Sequence, residues 1–205
     1  MNEKYSKIID ANISTAVENP HYRVDVAAMN LARILSRGDT IKSAAGMFQM
    51  KLLRQAITDY SRERGNLTRE VVNPFKKEVG IETDANWNLD FSTRTLTIYP
   101  VGKKIEVITD DIVVDDAEVN VLEELDINAN VYASIIDRLD GAYDESAEDA
   151  IAQFIFEQAE NARTYERTKQ DLQAKYVQPY LETCGITEKV TWSLDFTTKK
   201  ITITK

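Results

Sequence analysis

The sequence predicts an α+β protein built from two tandem copies of one unit, each with about three helices followed by a β-hairpin. Residues 72–98 recur as residues 177–203 without a gap, with 11 identities in 27 positions. Apolar residues at helical spacing precede each repeated segment, and alternating apolar residues end it. An ungapped repeat of this kind indicates internal duplication. We therefore assign residues 1–100 to a first repeat, 101–105 to a joint and 106–205 to a second repeat.

Three- and four-residue spacing of apolar side chains predicts the first two helices. One is expected from Tyr5 to Val17 and to stop at Asn19-Pro20. The next is expected from an Asp25 cap to Gly38, because glycine readily adopts the left-handed conformation that ends a helix. His21 then falls between the two helices and is predicted to be an exposed turn residue.

A third and longer helix is predicted after a cap at Asp39 or Thr40. Its counterpart in the second repeat is predicted to start at Ser146, with Asp149 completing an acidic variant of the capping box. The predicted buried face in the first repeat comprises Ile41, Ala44, Ala45, Phe48, Leu52, Ala56 and Tyr60. The predicted face in the second comprises Ile151, Ile155, Phe156, Ala159 and Ala162.

Each long helix meets a proline, Pro74 or Pro179, where a kink or a fresh helix with proline in its first turn is expected. Gly80 and Gly185 are predicted to end these segments in a Schellman motif. Strict alternation then predicts an amphipathic β-hairpin. Its apolar positions in the first repeat are Trp87, Leu89, Phe91, Leu96 and Ile98.

The aspartates before the hairpin turns and the tryptophans of the hairpins are also given predicted roles. Asp90 and Asp195 precede the hairpin turns, and we expect each to accept hydrogen bonds from turn amides. Both tryptophans, Trp87 and Trp192, are in phase with the apolar face and are predicted to pack rather than to stack on a ligand. Residues 105–109 and 112–114 have strand character, although the repeat register equates 112–115 with the predicted first helix. That conflict is left open.

The charge is unevenly divided along the 205 residues, whose net charge is −9. Residues 1–100 carry 14 basic and 12 acidic side chains, whereas residues 101–205 carry 11 and 22. Opposite signs on related surfaces predict docking, either between the two copies or head to tail between molecules. A solvated acidic face that only aids solubility is an equal alternative. The candidate interaction surface comprises Arg33, Arg37, Arg54, Arg62, Asp110, Asp111, Asp115, Asp116 and Glu118.

Several chemistries are excluded or disfavoured by the residues present. One cysteine and one histidine exclude an internal disulfide and a Cys/His zinc cluster. The acidic cluster from Asp110 to Glu118 lacks the pattern of a calcium-binding loop, so helix capping and solubility are favoured over metal binding. Phosphate-binding loops, nucleophile elbows and zincin motifs do not occur. We predict no catalytic residue, no metal and no cofactor, and a carboxylate-dependent enzyme is a minor alternative.

The function predicted from these observations is a non-enzymatic protein-interaction or assembly module, binding a protein partner or itself. Small, duplicated, motif-free chains of this kind also occur among phage structural and accessory proteins. The alternative is a nucleic-acid-binding or DNA-mimicking regulator, because three helices and a hairpin resemble a winged helix. Nucleic-acid binding is disfavoured by the acidic second half. No membrane association is predicted, and the expected location is the cytoplasm, or a virion if the protein is viral.

Overall fold

A computed structural model of the chain describes residues 4–104, 106–139 and 147–205. Within these ranges it contains six α-helices and two three-stranded antiparallel sheets. The α+β class predicted from the sequence is therefore confirmed. None of the helices in the described ranges combines the length and the apolarity that crossing a membrane requires.

The contacts between residues divide the chain into two compact units. The first comprises Met1–Ile105 together with Ser134–Ala147, and the second comprises Glu106–Ala133 together with Glu148–Lys205. Residues 101–104, assigned above to a joint, belong to a continuous strand that runs from Thr95 to Lys104. The assignment of 1–100 and 106–205 to two repeats remains a prediction.

The first unit has a three-stranded sheet in the order β1-β3-β2, with the helices inserted between β1 and β2. Its elements are β1 (Tyr5–Ile8), α1 (Ala11–Leu35), α2 (Ala44–Leu67), a π-helical turn (Thr68–Val72), α3 (Asn73–Glu78), β2 (Thr83–Asp90) and β3 (Thr95–Lys104). The helix predicted from Tyr5 is wrong at its start, because Tyr5–Ile8 pairs with β3. Edge pairing satisfies the backbone of this short segment, which a lone helical turn would leave exposed.

The two helices predicted on either side of Pro20 are one helix, α1. Asp10 caps it, its carboxylate accepting a hydrogen bond from the Asn12 backbone amide at 2.7 Å. Asp25 therefore lies inside the helix and does not cap it, and His21 is helical rather than in a turn. Proline removes one backbone hydrogen bond, but Val17, Pro20 and Ala27 are all buried, so continuous packing across the proline outweighs that loss.

The cap predicted for α2 is wrong, and the predicted buried face is correct only at Ala56, which is buried, and Tyr60, which packs on the core. Ser43 is the cap, and its Oγ accepts a hydrogen bond from the Gly46 amide at 3.0 Å. Phe48 and Leu52 keep 60% and 44% of their surface exposed. The helix carries two apolar stripes, and periodicity alone does not say which one packs on α1. The residues that are buried are Gly46, Leu53, Ala56, Ile57 and Leu67.

The end of the helical segment follows the prediction. Pro74 lies in the first turn of α3, which begins directly after the π-helical turn. Gly80 has φ 72°, the Ile81 amide donates to the Lys76 carbonyl at 2.9 Å, and the Gly80 amide donates to the Lys77 carbonyl at 3.2 Å. These two bonds are the Schellman motif, and it satisfies the last carbonyls of the helix.

The β2–β3 turn is fixed by Asp90, as predicted. Its Oδ1 accepts hydrogen bonds from the Ser92 amide at 2.9 Å and from the Thr93 amide at 3.2 Å. The hydrogen bond from the Ser92 hydroxyl, and then those from Thr93 and the Ser92 amide, hold the pKa of Asp90 below its usual value. Arg94 completes the turn at φ 54°, in the left-handed region that favours glycine.

Replacing Arg94 with glycine is expected to raise the free energy of unfolding by up to about 1 kcal/mol, because the left-handed conformation strains a side chain with a Cβ atom. Thr93→Gly is the control, since Thr93 is not among the residues with positive φ. It loses the hydrogen bond of the Thr93 side chain to Asp90 and gains unfolded-state freedom, so it should be destabilised. Urea unfolding of both variants measures the effect. A stabilised Thr93→Gly or a destabilised Arg94→Gly would contradict the strain argument.

The second unit is built in the same way around a sheet in the order β4-β6-β5. Its elements are β4 (Val107–Val113), α4 (Asp116–Leu139), α5 (Glu148–Leu172), a π-helical turn (Gln173–Val177), α6 (Gln178–Thr183), β5 (Thr191–Asp195) and β6 (Lys200–Thr204). The last residues of α4, from Ser134, group with the first unit. The cap predicted at Ser146 lies outside the described residues.

The pairing registers of the two sheets agree at the offset of the repeat next to the helices, although register shifts displace the earlier residues of β4. Ile8 lies opposite Thr95, and 105 residues later Val113 lies opposite Lys200. This resolves the conflict in the sequence, because both segments are strands that lead into a helix. Each sheet packs an apolar cluster against its helices. The buried members are Ile9, Val17, Leu67, Val72, Phe75, Leu89, Leu96 and Ile98 in the first unit and Val114, Val119, Leu122, Leu172, Val177, Leu181, Ile201 and Ile203 in the second.

Candidate interaction surface

An exposed apolar stripe on α2 borders a cleft in the first unit. Phe48, Lys51 and Leu52 lie on one face of the helix, because residues three and four apart share a face. From α1, Tyr22 and Val26 line the same region, and Tyr22 is 67% exposed. The cleft between the helices has a volume of about 280 Å³. We call these five residues the groove face.

The floor and the rim of the cleft differ in chemistry. Val26, Ala27 and Ala56 supply apolar surface, whereas polar side chains such as Arg23 and Gln55 line the remainder. The Arg23 guanidinium lies 3.3 Å from the Asp59 carboxylate and is still mostly exposed. An apolar floor with a polar rim is the arrangement that receives side chains of another molecule.

The chain segment that contributes the lining of this cleft is basic. Residues 22–56 contain six basic and two acidic side chains, a net charge of +4. Arg33 and Arg37 are exposed, and Arg54 is half-buried. Arg62 is exposed too, with its Nη1 3.8 Å from Asp59.

The structure does not gather the four predicted arginines into one patch. Arg33 lies near the turn between the helices and Arg62 near the far end of α2. Arg54 and Arg62 are eight residues apart, about 12 Å along the helix. The basic character is spread along the helical pair.

The predicted acidic cluster is drawn into ion pairs within the second unit. Glu118 accepts hydrogen bonds from the Lys175 ammonium at 2.9 Å and from the Tyr176 hydroxyl at 2.5 Å. Asp115 accepts from the same two groups, at 3.4 Å and 3.1 Å. The Tyr176 bond, followed by Lys175, lowers the pKa of Glu118, and the same contacts raise the pKa of Lys175 and Tyr176.

Two further acids of the cluster pair with the last hairpin. Asp111 lies 3.1 Å from the Lys200 Nζ, and Asp116 lies 2.7 Å from the Lys199 Nζ. Asp110 is exposed on β4. In the part of the chain that the structure describes, no three His, Cys, Asp or Glu residues are grouped so that they could hold a metal ion. Among the described residues, four of the five predicted acids, all except Asp110, therefore have a basic partner within the second unit.

The Glu118 cluster predicts a pH dependence. A carboxyl whose pKa is lowered by folding contributes stability above its unfolded pKa, and loses it as the pH falls through the folded pKa. Glu118→Gln is expected to be less stable than the wild type at neutral pH by about 0.5 kcal/mol, because the pair is partly exposed. The difference should vanish in acid. Urea unfolding across this range tests it, with Glu123→Gln as control on the same helix, and a pH-independent difference would contradict it.

A second exposed apolar surface lies on α5. Ile155 and Phe156 are 51% and 64% exposed, and Ala152 and Ala159 extend the stripe by one turn on either side. We call these four residues the α5 face. Residues 148–162 contain four acidic side chains and no basic one. The buried side of this helix is instead formed by Ala150, Phe154 and Leu172.

The apolar residues of α2 and α5 on these surfaces were predicted to be core. Comparison of the two repeats, however, already shows polar residues at several equivalent positions. The counterparts of Phe48 and Leu52 at the offset of 105 are Gln153 and Glu157, and the counterpart of Phe156 is Lys51. The buried cluster positions, in contrast, are mostly apolar in both copies. Phe48, Leu52 and Phe156 are apolar in only one copy and are therefore better explained by surface function than by packing, whereas Ile155 has an apolar counterpart in Met50.

The surroundings of His21 also differ from those that the sequence predicted. Its ring lies 5.2 Å from that of Tyr60 and 5.6 Å from that of Phe91, and its Nδ1 is 3.5 Å from Asp25. Arg138, from the end of α4 that groups with this unit, forms an ion pair with Asp25. These contacts fix α1 against its neighbours and leave the ring half-buried.

The position equivalent to His21 in the second unit is Asp126, which accepts a hydrogen bond from Asn130. Burial raises the pKa of Asp126 and also that of Tyr165. The tryptophans pack on the cores as predicted, Trp87 under the Arg64 guanidinium at 4.7 Å and Trp192 under the Lys169 ammonium at 5.7 Å. Both tryptophans are therefore part of the packing of their units.

Comparison of the chain with known protein families, curated proteins and solved structures finds no match. The function of these surfaces is therefore inferred from their own chemistry.

Proposed function

We propose that this protein is a non-enzymatic interaction module that binds another protein chain through the groove face. The observation that carries the proposal is the exposure of Tyr22 and Leu52 in the lining of an apolar cleft, with Phe48 exposed one turn before Leu52 on the same helix. Large apolar side chains grouped on a surface are typical of protein-binding sites. Aromatic anchors surrounded by a polar rim are the usual energetic centres of such interfaces.

The energies involved are sufficient for specific binding. Fully burying a side chain such as Phe or Leu contributes about 1.5–3 kcal/mol relative to leaving it exposed. Phe48 and Leu52 already have part of their surface covered, so each would contribute less than that. Together with Tyr22 they supply a central cluster, and the basic side chains spread along the two helices select a partner of opposite charge. The expected partner surface is apolar at its centre and acidic at its edge.

Nucleic-acid binding is the competing function, supported by the net charge of +4 over residues 22–56. The winged-helix comparison assumed three separate helices, but the first two are one helix of 25 residues. The proposed recognition helix is then one arm of a long helical pair. The groove face is also apolar at its centre, where a phosphate backbone would require charge.

The test is affinity capture with the full chain from extracts of its source cells, followed by mass spectrometry. The variant Phe48→Gln/Leu52→Gln removes the anchors, and Gln is the residue that the second repeat carries at position 153. Ile8→Gln is the matched control, because Ile8 is 71% exposed on β1, outside the groove face.

Proteins retained by the wild type and by Ile8→Gln should be lost with the double variant. An identical set of bound proteins for all three chains would overturn the proposal. A gel shift with duplex DNA at low salt is run in parallel. A shift that disappears on neutralising Lys51 and Arg54, but not in the double variant, would favour the nucleic-acid function instead.

A further inference from the structure

We infer that the occupant of the groove face is a second copy of this chain, which docks its α5 face there. This inference rests on the proposed function and names its partner. The α5 face complements the groove face, because its two adjacent apolar side chains, Ile155 and Phe156, project from an acidic helix. Both surfaces are exposed within the single chain, so each is available to another molecule.

Charge complementarity carries the choice of occupant. The groove segment, residues 22–56, has a net charge of +4, and the α5 segment, residues 148–162, has a net charge of −4. On α5, Glu148 and Asp149 lie two turns before the apolar pair, whereas Glu160, one turn after it, already pairs with Arg163 just beyond the segment. On α2, Lys51 flanks Phe48 at the edge of the groove face. Docking one segment on the other therefore sets acids against bases around an apolar centre.

Self-docking of like surfaces is disfavoured by the same charges. Two groove faces would bring two positive segments together, and two α5 faces would bring two negative ones, so neither symmetric dimer is favoured electrostatically. The contact is consequently heterologous. A heterologous contact leaves one groove face and one α5 face free at the ends of an open chain, or closes into a ring in which every face is occupied.

Complementation between two variants, each with one of the two faces removed, tests this arrangement directly. Phe48→Gln/Leu52→Gln keeps an intact α5 face, and Ile155→Gln/Phe156→Gln keeps an intact groove face. We expect the wild type to assemble beyond its monomer mass of 23.3 kDa in a concentration-dependent way. Each variant alone should associate at least about 100-fold more weakly, since two central apolar anchors are lost. An equimolar mixture should give a dimer and nothing larger.

Light scattering and sedimentation read out these masses at low and high salt. High salt should weaken wild-type assembly, because the flanking charges are exposed and screened. Circular dichroism confirms that both variants are folded, as expected for substitutions of exposed side chains. A wild type that is monomeric at every concentration would overturn the inference. A dimer unaffected by either variant, or variants that fail to complement each other, would also overturn it.

These outcomes are separable from failure of the proposed function. A monomeric wild type that still captures a cellular protein through Phe48 and Leu52 refutes the second copy as occupant but leaves the interaction module standing. If an acidic helix of a foreign protein is the occupant, Ile155→Gln/Phe156→Gln captures it as well as the wild type does. Loss of capture with both double variants indicates instead that assembly is required before the partner binds.

Discussion

Replacing Ser14 with valine is expected to raise the free energy of unfolding of the first unit by about 1 kcal/mol. Ser14 is 1% exposed, and its Oγ is the one buried side-chain polar atom of the described residues without a hydrogen-bond partner. A buried hydroxyl with no partner pays its full desolvation penalty. Removing the hydroxyl and adding apolar volume should therefore stabilise the fold.

The second unit shows that this position accepts valine. Val119 lies 105 residues after Ser14 and is also 1% exposed. The two backbones are placed alike, because the Ser14 amide donates to the Asp10 carbonyl and the Val119 amide donates to the Asp115 carbonyl, both at 3.0 Å. Val119→Ser is accordingly expected to destabilise the second unit by about 2–4 kcal/mol, through lost apolar burial and a new unpaired hydroxyl.

Each change is best measured in a background with one tryptophan, because Trp87 packs on the cluster of the first unit and Trp192 on that of the second. Ser14→Val is studied with Trp192→Phe, and Val119→Ser with Trp87→Phe, by fluorescence during urea unfolding. Ser14→Ala separates the two contributions, since it removes the hydroxyl without adding bulk. If Ser14→Ala destabilises the first unit, the orphaned hydroxyl is not the cause, and the prediction is wrong.

The fold class was accessible from the sequence because its signals are local. The hairpin alternation from Trp87 to Ile98, the Schellman endings and the Asp90 turn all depend on residues a few positions apart. The strand at Tyr5–Ile8 was not accessible. Its apolar spacing fits a helix as well as an edge strand, and the choice depends on β3, about 90 residues away. The predicted helix end at Pro20 was wrong for a related reason, since tertiary packing outweighed the local effect of the proline.

The sequence identified the acidic residues of the candidate surface but not the contacts that they make. Asp115 and Glu118 were singled out for their charge, whereas Lys175, which neutralises them, lies 57 residues beyond Glu118. Pairing across such distances is invisible to a count of charges along the chain. The apolar half was missed because both stripes of α2 have the same period. Only burial against α1 distinguishes them, and burial is a property of the folded chain.

Gly46→Ala is expected to destabilise the first unit by about 1–3 kcal/mol, the usual range for overpacking. A Cβ atom at Gly46 would lie 2.5 Å from the Thr40 carbonyl oxygen and 2.8 Å from the Ile41 Cα. Both are backbone atoms, which cannot rotate away as a side chain does. The turn after α1 would have to shift, and with it the hydrogen bond between Ser43 and Gly46 that caps α2.

Gly65 provides the matched control within the same helix. A Cβ atom there meets only the end of the Arg69 side chain, at 3.8 Å. Gly65→Ala should therefore stabilise by about 0.5–1 kcal/mol, the helix propensity difference between the two residues. Opposite signs for the two substitutions in urea unfolding would establish that the turn is closely packed on α2. Equal stabilisation would show that the turn yields freely.

The same pair of variants links the turn to the groove face. Met47 and Phe48 directly follow Gly46, so a displaced turn should also move the first anchor of the groove face. Gly46→Ala is then expected to weaken the concentration-dependent assembly, whereas Gly65→Ala should leave it unchanged. Sedimentation of the two variants at a urea concentration well below both transitions makes this comparison. Assembly that is equally strong in both would mean that the position of Phe48 does not depend on the turn.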